Sequence, residues 1–417
     1  MLQRVRGTQD FLDLTLFSFL MQTIKQHAEL YGFHEISTPL IEQLELFQRS
    51  LGLHTDVISK EMFLVGAAES DESLCLRPEA TAPTMRAFFN NGVTERPWRV
   101  LNSGPMFRYE RPQKGRFRQF HQVSFEIIGA PSIAHDAEFI ECLDSLFSKK
   151  LHLDQYTLAL NFLGSPEDRE QYKKALLAFL ESKPSLPSAI AERKDKNLLR
   201  IFDLKDEASQ EILQDAPLIT DHLSPASRAE WDELQALLSQ LSVSFILNPR
   251  LVRGLDYYNK TVFEFVSLEL GAQSSFCGGG RYDFLSQTLG EKEAVPALGA
   301  APGIERLLML LESRRHLLPL PQPAPLIVVI PLAEEQKQLA LICAQFLRHH
   351  SFCVETMVDQ ASAKSMMRQA NKKGARFVII IGETEQQQGY VTLKQMTTGV
   401  EEKVKQEELV NALRKGA

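Results

Sequence analysis

The proline-rich segment LLPLPQPAP divides the chain into two parts. Its prolines, Pro319, Pro321, Pro323 and Pro325, occupy every second position. Because proline fixes φ and has no backbone N–H to donate, this spacing favours an extended, semi-rigid connection over a helix or an inner strand. We therefore expect a linker at residues 319–325, between a large first part at 1–318 and a smaller second part at 326–417.

The second part alternates apolar runs with segments of helical spacing. The predicted elements are a buried strand at 326–332, a helix at 333–350, a strand at 353–358, a helix at 361–373, a buried strand at 376–382, a polar turn at 385–389, an alternating strand at 390–396 and a final helix from about 405. Strands that alternate with helices of this length indicate a small α/β domain with a mainly parallel sheet.

The first part has a different pattern. Apolar positions at helical spacing predict a helix at residues 12–31, and Pro39 interrupts the strand-like run that follows it. Extended, β-branched and aromatic segments at 98–129 and 243–268 suggest an antiparallel sheet. Between them, residues at about 165–240 are rich in Lys, Glu and Leu at helical spacing, which predicts a mostly helical insertion.

Composition is that of an ordinary globular protein. The 417 residues include 44% hydrophobic and 24% charged residues. No run approaches the roughly 20 apolar residues that span a bilayer, and the first residues do not resemble a signal peptide. The formal net charge is −7, so binding of nucleic acid must rely on local basic patches.

Cysteine usage indicates a reducing compartment. The five cysteines are Cys75, Cys142, Cys277, Cys343 and Cys353. They are scattered, odd in number and never spaced CxxC, which argues against a disulfide framework and against a zinc cluster. We expect a cytoplasmic protein with no membrane segment.

The basic segment GPMFRYERPQKGRFRQFHQVSFEIIG at 104–129 is the densest candidate site. Its cations are Arg108, Arg111, Lys114, Arg116 and Arg118. The alternating flanks and the turn residues between them predict a hairpin with inward polar side chains, and buried charges are costly unless paired. One interpretation is a solvated basic loop beside a self-neutralising sheet. The other is a nucleotide site, where an arginine fork grips phosphate, an aromatic ring stacks on a base and the tip meets nucleic-acid phosphates.

Three shorter segments have two interpretations each. LCLRPEATAP at 74–83 is either a strand-to-helix turn capped by Thr81, or a carboxylate and hydroxyl, Glu79 and Thr81, that receive a substrate ammonium. CGGGRYD at 277–283 is either a tight turn or a glycine-rich site, although it matches neither a Walker loop nor GxGxxG. In GIER, Arg306 lies in the first turn of a helix, where it either binds an anion or forms an ion pair.

The sequence shows no motif for other kinds of catalysis. His121 lies alone in a predicted strand and is interpreted as structural. The sequence offers no Ser-His-Asp or Cys-His arrangement and no set of metal ligands.

In order, these segments resemble the histidyl-tRNA synthetases, a family of class II aminoacyl-tRNA synthetases. RGTQDF opens the match, GFHEISTPLIE resembles motif 1, FRYERPQKGRFRQFHQVSFE resembles motif 2 and GIER resembles motif 3. LVRGLDYYNKTVFEF and CGGGRYD resemble the two histidine-specific signatures, and the first of these is highly specific. The second part is similar to the family's anticodon-binding domain, so the resemblance covers nearly the whole chain.

The resemblance implies both a fold and a reaction. The fold would be an α+β catalytic domain at 1–318, with a six- or seven-stranded antiparallel sheet, flanking helices and the helical insertion, followed by an α/β anticodon-binding domain at 326–417. The reaction would join L-histidine and ATP into histidyl-adenylate and then transfer histidine to the 3′ end of tRNA(His). ATP would arrive with Mg²⁺, without a tightly bound cofactor or a protein metal site. A homodimer is implied by motif 1, with Pro39 at the interface.

The resemblance also implies residues for ATP. Arg253 would reach the α-phosphate, where other class II enzymes use a metal ion, and Arg108 would hold it from the other side, so both would be catalytic. Arg306 would bind the γ-phosphate, Phe120 would stack on adenine and Glu110 would face its amino group. The implied ATP-binding set is Arg108, Glu110, Arg116, Phe120 and Arg306.

Histidine and tRNA residues follow in the same way. The implied histidine-binding set is Glu79, Ala80, Thr81, Arg108, Gln122, Glu126, Arg253, Tyr257, Tyr258 and Tyr282. Within it, Glu79, Thr81 and Gln122 would hold the ammonium. Glu126 and Tyr258 would read the imidazole, with Tyr257 and Tyr282 beside them. Residues implied to approach the tRNA acceptor end are Arg111, Gln113, Lys114 and Arg116.

The sequence departs from the family pattern at Ser124 and Phe284, where glycine is usual, so pocket shape and loop mobility could differ. The main rival is a non-catalytic, histidine-binding paralogue that regulates histidine biosynthesis. Such chains typically lack the anticodon domain and the arginine signature, whereas residues 326–417 and Arg253 are both present here. A plain RNA-binding protein would have no use for inward-facing acids such as Glu126.

Overall fold

Residues 1–320 form one unit of the computed structural model, and residues 321–417 form another. The structure describes residues 2–52, 55–66, 72–113, 115–195, 197–359 and 362–415. None of the helices in these ranges is long and apolar enough to cross a membrane.

The first unit contains eleven strands and ten α-helices among its described residues. The strands are β1 His34–Ile36, β2 Ile41–Gln43, β3 Phe63–Val65, β4 Leu74–Leu76, β5 Trp98–Phe107, β6 Gln119–Ile128, β7 Thr157–Phe162, β8 Ile246–Leu247, β9 Asn259–Val266, β10 Ser275–Arg281 and β11 Ala297–Pro302. The helices are α1 Thr15–Leu30, α2 Leu44–Leu51, α3 Thr81–Asn90, α4 Ala134–Ser145, α5 Pro166–Glu181, α6 Ser188–Lys194, α7 Glu207–Leu213, α8 Pro225–Gln240, α9 Leu285–Thr288 and α10 Ile304–Glu312.

A large sheet forms the centre of this unit, with the strand order β1-β5-β6-β11-β10-β9-β7-β8. The six inner strands, β5 to β7 in that order, pair antiparallel. The short edge strands β1 and β8 pair parallel to β5 and β7. The predicted antiparallel sheet is therefore confirmed for the inner strands, while the sheet as a whole is mixed. Strands β2, β4 and β3 form a separate small sheet.

Side-chain alternation along β6 places apolar side chains on one face of the large sheet and several polar side chains on the other, which also carries a second apolar core that includes Val100 and Val262. Val123, Phe125 and Ile127 point into a core that also includes residues of α1, α4, α8 and α10. Successive side chains of a strand point to opposite faces, so Gln122 and Glu126 lie on the other face. That face carries the candidate site.

The glycines of CGGGRYD lie within strand β10, so their interpretation as a tight turn is wrong. A Cβ at Gly279 would come within 2.4 Å of the Gly299 carbonyl oxygen, and one at Gly280 would come within 2.4 Å of the Thr261 carbonyl oxygen. These glycines let neighbouring strands and side chains approach closely, which is a known use of glycine inside a sheet.

The described residues of the segment 165–240 contain four α-helices, α5 to α8, and two short 3₁₀ helices, Leu198–Asp203 and Ile219–His222. Ser165 and Ser224 cap two of them, each accepting a hydrogen bond from the backbone N–H three residues later, and a proline follows each serine. These are strong start signals for helices. Helix α8 packs its Trp231 and Leu234 into the apolar core of the sheet. The segment 165–240 is therefore packed against the sheet, in addition to being connected to it through the chain at its two ends.

The second unit is built on five strands, in the order β13-β12-β14-β15-β16. The strands are β12 Leu326–Pro331, β13 Cys353–Thr356, β14 Phe377–Ile381, β15 Tyr390–Gln395 and β16 Glu401–Lys405. The helices are α11 Lys337–His349, α12 Ala363–Lys372, α13 Glu383–Gln388 and α14 Leu409–Lys415. Apolar residues on both faces of the sheet form two separate cores, which confirms an α/β domain.

Three details of the second unit differ from the prediction. The sheet is only half parallel, because β15 and β16 pair antiparallel to their neighbours. The polar segment at 385–389 belongs largely to helix α13, which ends at Gly389 with φ +70°. Strand β16 was missed because only Val404 of its residues is buried, so a polar edge strand gives no apolar pattern. The final α-helix accordingly begins at Leu409.

Candidate active site

A cleft of about 890 Å³ opens on the face of the large sheet that carries Gln122. Strands β6 and β10 contribute to its wall, together with the loop 251–258 and the start of α10. The sequence-predicted residues that line it are Glu79, Thr81, Arg108, Glu110, Arg116, Phe120, Gln122, Arg253, Tyr257, Tyr258 and Arg306. Folding therefore brings segments from across the first unit into one site.

Arg253 is held in the cleft by contacts with its neighbours. Its guanidinium pairs with the Glu264 carboxylate and lies 5.8 Å from the centre of the Tyr258 ring. A Cβ at Gly278 would come within 2.3 Å of the guanidinium. Glycine at 278 is therefore what leaves room for this arginine above strand β10.

Arg108 and Arg306 approach the cleft from two other elements. Arg108 donates from Nε to the Pro78 carbonyl oxygen at 2.9 Å, and its Cζ lies 5.4 Å from the centre of the Phe120 ring. Arg306 donates to the Ser275 carbonyl oxygen and, at 3.3 Å, to that of Gly115. Among the described residues, no carboxylate lies within ion-pair distance of Arg306, so the simple ion-pair interpretation is wrong for it.

Like charges crowd this end of the cleft. Arg116 pairs with the buried Glu110 carboxylate. Burial, and after it the positive charge of Arg116, lower the pKa of Arg306. Burial also raises the pKa of Glu61, and the charge of Glu110 adds to that effect. A bound anion would relieve the repulsion between the arginines.

A buried polar network forms the opposite end of the site. Glu126 is completely buried, and Thr81 Oγ1 donates to its Oε1 at 2.6 Å. The Tyr282 hydroxyl donates to the other oxygen, Oε2. Burial raises the pKa of Glu126 to about 8, against the lowering effect of these two hydrogen bonds. The carboxyl group is therefore held mainly neutral at pH 7.

Three tyrosine rings enclose this network. Tyr257 lies between the other two, with ring centres 4.6 Å from Tyr258 and 5.6 Å from Tyr282. Gly299 makes room for the network, because a Cβ there would come within 1.8 Å of Glu126 Oε2. Tyr257 and Tyr258 line the cleft, whereas Glu126 and Tyr282 are buried next to them and do not line it.

Glu79 caps helix α3, so the prediction of a capping threonine is wrong. The Glu79 carboxylate accepts from the backbone N–H of Thr81 at 2.6 Å and from that of Ala82 at 3.0 Å. Ala80, at the N-cap position, is buried. Burial raises the pKa of Glu79, although the two backbone N–H donors act against this. The Thr81 hydroxyl is thereby left to the Glu126 network.

Gln122 presents an unpaired acceptor close to these groups. Its Oε1 is buried and finds no donor among the described residues. Such a group is costly unless a ligand or water supplies the missing hydrogen bond. Ser124 Oγ, at the position that departs from the family pattern, is likewise buried and without a partner in the described part of the chain.

The remaining predicted residues lie outside the cleft or beyond the described residues. Arg111 and Gln113 are exposed at the hairpin tip, where Gln113 and Arg116 bridge the two arms. Lys114 lies outside the described residues. Pro39 is exposed between β1 and β2.

Two supporting acids were missed from the sequence. Glu264 pairs with Arg253, and Glu305 accepts from the backbone N–H of His121 at 2.9 Å and contacts its Nδ1 at 2.8 Å. A charged residue inside the apolar run TVFEFV was the available signal for Glu264. The contact between His121 and Glu305 ties strand β6 to helix α10.

Among its described residues, the site has no preformed set of metal ligands. The ranges that the structure describes contain no group of three or more His, Cys, Asp or Glu residues placed to hold a metal ion. In the cleft, Glu110 and Glu264 both pair with arginines. These carboxylates do not fit a resident Mg²⁺, which favours oxygen ligands free to coordinate it.

Comparison with solved structures defines the class of the fold. An apo histidyl-tRNA synthetase from S. aureus superposes with a TM-score of 0.80 at 29% identity, covering 99% of each chain. A protein from Bacillus halodurans, described as an ATP phosphoribosyltransferase regulatory subunit/histidyl-tRNA synthetase, has a TM-score of 0.64 at 19% identity, covering 92% of this chain and 98% of its own. The second likeness shows a shared fold alone. The fold is that of a class II synthetase.

Sequence comparison gives the family. The histidyl-tRNA synthetase model matches residues 15–307, and the anticodon binding domain model matches residues 326–416. A histidine–tRNA ligase from Thermosynechococcus vestitus is 40% identical, covering 98% of this chain and 96% of its own. One from Solidesulfovibrio magneticus is 41% identical, covering 99% and 97%. The chain belongs to the histidyl-tRNA synthetase family.

Proposed function

We propose that this protein is a histidine–tRNA ligase, which activates L-histidine with ATP and then transfers it to the 3′ end of tRNA(His). One observation carries the proposal. A single cleft joins an arginine-rich end, with Arg108, Arg253 and Arg306, to a polar end lined by Thr81 and Gln122. At that end, Thr81 donates a hydrogen bond to the buried Glu126. The first end suits a polyphosphate and the second suits a small polar ring.

Arg253 and Arg108 are proposed as the catalytic pair. In the first step, the histidine carboxylate attacks the α-phosphorus of ATP, an acyl–phosphate bond forms and the bond to pyrophosphate breaks. Negative charge on the phosphoryl oxygens must be stabilised in the transition state. Arg253 is fixed by Glu264, and Arg108 by the Pro78 carbonyl oxygen, so both guanidiniums can act with little reorganisation.

The other ATP contacts follow from the arginine end. Arg306, whose positive charge is repelled by that of Arg116, would bind the γ-phosphate. Phe120 would stack on adenine, with the Arg108 guanidinium on the ring at 5.4 Å. Glu110 would receive the adenine amino group, and Arg116 would move from Glu110 toward phosphate. Mg²⁺ enters as part of the ATP complex, held by phosphate and water oxygens.

Histidine would occupy the buried end. The unpaired Oε1 of Gln122 would accept from its ammonium, with Glu79, Ala80 and Thr81 beside it. Imidazole carries one donor and one acceptor. Glu126 and Tyr258 would satisfy these two positions, with Tyr257 and Tyr282 packed around the ring. A pocket that leaves polar groups unpaired with any other ring discriminates strongly against such analogues.

tRNA would contact both units of the chain. The hairpin tip, with the exposed Arg111 and Gln113 together with Lys114 and Arg116, would meet the acceptor end through phosphate contacts. The second unit would bind the anticodon, as its family match suggests. We assign residues 1–318 to the catalytic domain, with an insertion at about 165–240, residues 319–325 to a linker and residues 326–417 to the anticodon domain.

A homodimer and a cytoplasmic location complete the proposal. Pro39 and the neighbouring Leu40 and Ile41 are exposed apolar residues, which suits an interface between two copies. All five cysteines are free, as expected for a protein of a reducing compartment.

Transfer of labelled histidine to tRNA tests the proposal. With ATP and Mg²⁺ present, the protein should attach histidine to tRNA(His) and not to a tRNA with another anticodon and acceptor end. The regulatory rival predicts a different outcome, in which the folded protein binds histidine but forms neither adenylate nor charged tRNA. That result would overturn the ligase assignment.

A further inference from the structure

The loop 251–258, which carries Arg253, Tyr257 and Tyr258, has no regular secondary structure. Something other than a strand ladder or a helix must therefore hold it in place. Asn161 of β7 donates to the Leu251 carbonyl oxygen at 2.9 Å, which fixes the start of the loop. The other fixed points described below come from the segment at 165–240.

Arg169 holds the far end of this loop. Its Nη1 donates to the Tyr258 carbonyl oxygen at 2.9 Å, across a sequence separation of 89 residues. Nearer the middle, Asn197 Nδ2 donates to Asp256 Oδ1 at 2.6 Å. Each of these hydrogen bonds has one charged partner, the Arg169 guanidinium in the first and the Asp256 carboxylate in the second. The Arg169 bond is partly buried and the Asp256 bond is exposed, so water screens the Arg169 bond less.

Arg169 is itself placed rigidly. It lies in the first turn of α5, where Ser165 and Asp168 form a reciprocal capping box. Asp168 also accepts from the backbone N–H of Ser224 at 2.9 Å, which ties the start of α5 to the start of α8. Gly164, with φ +68°, leads into this turn, and a Cβ there would come within 2.7 Å of Asp168.

Arg169 does not line the main cleft. It lines a second cavity of about 490 Å³, to which Arg253 and Tyr258 also contribute. Because both of these residues line the two cavities, the loop is a partition between them. Arg169 therefore acts from behind the loop.

We propose that Arg169 is a positioning residue that, through the Tyr258 carbonyl oxygen, sets the placement of Tyr258 and Arg253 and so makes the helical insertion part of the histidine-activating site. This inference rests on the proposed function. Displacement of a catalytic group by about 1 Å can cost roughly 100-fold in rate. The ATP contacts proposed for Arg108, Phe120 and Arg306 lie on other elements and should be unaffected.

Steady-state ATP–pyrophosphate exchange with Arg169→Met tests the inference, since methionine keeps an unbranched apolar stem but removes the donor. The expected result is a kcat/KM for histidine at least tenfold lower, with both kcat and histidine KM changed and ATP KM within twofold of wild type. Arg169→Lys, which keeps a charged donor, should recover part of the loss. Lys173→Ala is the matched control, because Lys173 lies in the same helix and cavity but pairs with Glu170.

A purely structural role predicts a different pattern, in which melting temperature falls while kcat and both KM values of the folded protein stay within twofold of wild type. That pattern would overturn the inference. If Arg169→Met does not fold, Arg169→Gln is measured against the same criteria.

Calorimetric measurement of histidine affinity distinguishes a failure of the proposed ligase function from a failure of the positioning role proposed for Arg169. Wild type that binds histidine without any exchange would overturn the proposed ligase function. In that case, tenfold weaker histidine binding by the Arg169 variant would still support the positioning role, and unchanged binding would overturn it.

Discussion

The two ends of the cleft are built in contrasting ways. At the arginine end, Arg108 and Arg253 keep about a fifth of their side-chain surface exposed, 20% and 19%, and are tethered to a carbonyl oxygen or a carboxylate. At the other end, Glu126 and Tyr282 are at most 1% exposed and bond to each other. One end holds charged side chains near solvent, and the other holds a buried, hydrogen-bonded network.

This contrast separates the two tasks of the proposed reaction. Fixed positive charge stabilises a transition state in which charge develops on phosphate. A buried, fully shaped polar pocket selects its ligand by the penalty of leaving groups unpaired. Changes at the arginine end should therefore act on kcat, and changes at the buried end should act on histidine KM.

The largest expected effect is that of Arg253→Ala. Removal of this guanidinium should lower the rate of adenylate formation by about 10²–10³-fold, as loss of a preorganised charge-stabilising group does. Histidine affinity should remain within a fewfold of wild type, because the residue acts mainly on the transition state. Pre-steady-state adenylate formation and calorimetry with histidine provide the two measurements.

Arg315→Ala is a suitable control, since Arg315 forms an exposed ion pair with Asp13 away from the cleft. Equal losses of histidine affinity and adenylate rate in Arg253→Ala would contradict the separation of tasks.

Gly278→Ala should reproduce part of the loss of adenylate formation expected for Arg253→Ala, while leaving the arginine in place. The new methyl group would lie 2.3 Å from the Arg253 guanidinium, which is the end of a flexible side chain and can move aside. We expect kcat to fall by roughly tenfold to 100-fold with little loss of stability. Gly303→Ala is the matched control, because its nearest atoms are at 3.9 Å. A normal kcat in Gly278→Ala would show that the position of Arg253 matters less than its presence.

Gly299→Ala tests the buried end in the same way. Its methyl group would lie 1.8 Å from Glu126 Oε2 and 2.8 Å from the Phe125 carbonyl oxygen, so the network must shift. Overpacking of this kind typically costs about 1–3 kcal/mol. We expect histidine KM to rise about tenfold, with ATP KM nearly unchanged. Initial-rate kinetics at varied histidine and varied ATP decide this, and a larger effect on ATP KM would contradict the comparison.

The last prediction concerns stability rather than catalysis, through the pH dependence of the free energy of unfolding at Glu126. Burial raises its folded-state pKa to about 8, from the ordinary 4.5. The folded state therefore binds this proton more tightly, and its contribution to stability declines as pH rises from about 4.5 to about 8, at up to about 1.4 kcal/mol per pH unit. Glu126→Gln should lose this decline.

Urea unfolding of wild type and Glu126→Gln at pH 5.5, 6.5 and 7.5 measures the difference. The free energy of unfolding of the variant should improve relative to wild type as pH rises. Parallel pH profiles for the two proteins would show that Glu126 titrates normally.

The sequence predicted best those elements whose side chains carry a pattern. The apolar run of β12 and the alternation of β6, with Val123 and Phe125 inward and Gln122 and Glu126 opposite, were readable from residue types alone. Strand β10 was not, because glycines have no side chain to alternate. Strand β16 was not predicted either, because Val404 is the one buried residue among its five and the strand shows no apolar alternation.

The candidate residues were predictable from motifs, but their partners were not. Nothing local links Arg253 to Glu264, or Arg169 to Tyr258, because such contacts are set by the packing of distant segments. The capping role of Glu79 was also missed, because Glu79 lies one residue before the N-cap position, where a capping side chain is normally expected.

Amino-acid-dependent ATP–pyrophosphate exchange with each of the twenty amino acids tests the central claim most directly. In the proposed function, the arginine end of the cleft binds phosphate and the end near Glu126 binds imidazole, so exchange should occur with histidine and with none of the other nineteen. Exchange with a different amino acid would contradict the assignment of the Glu126 pocket. No exchange with any of them, from folded protein that binds histidine, would contradict the role of the arginine end.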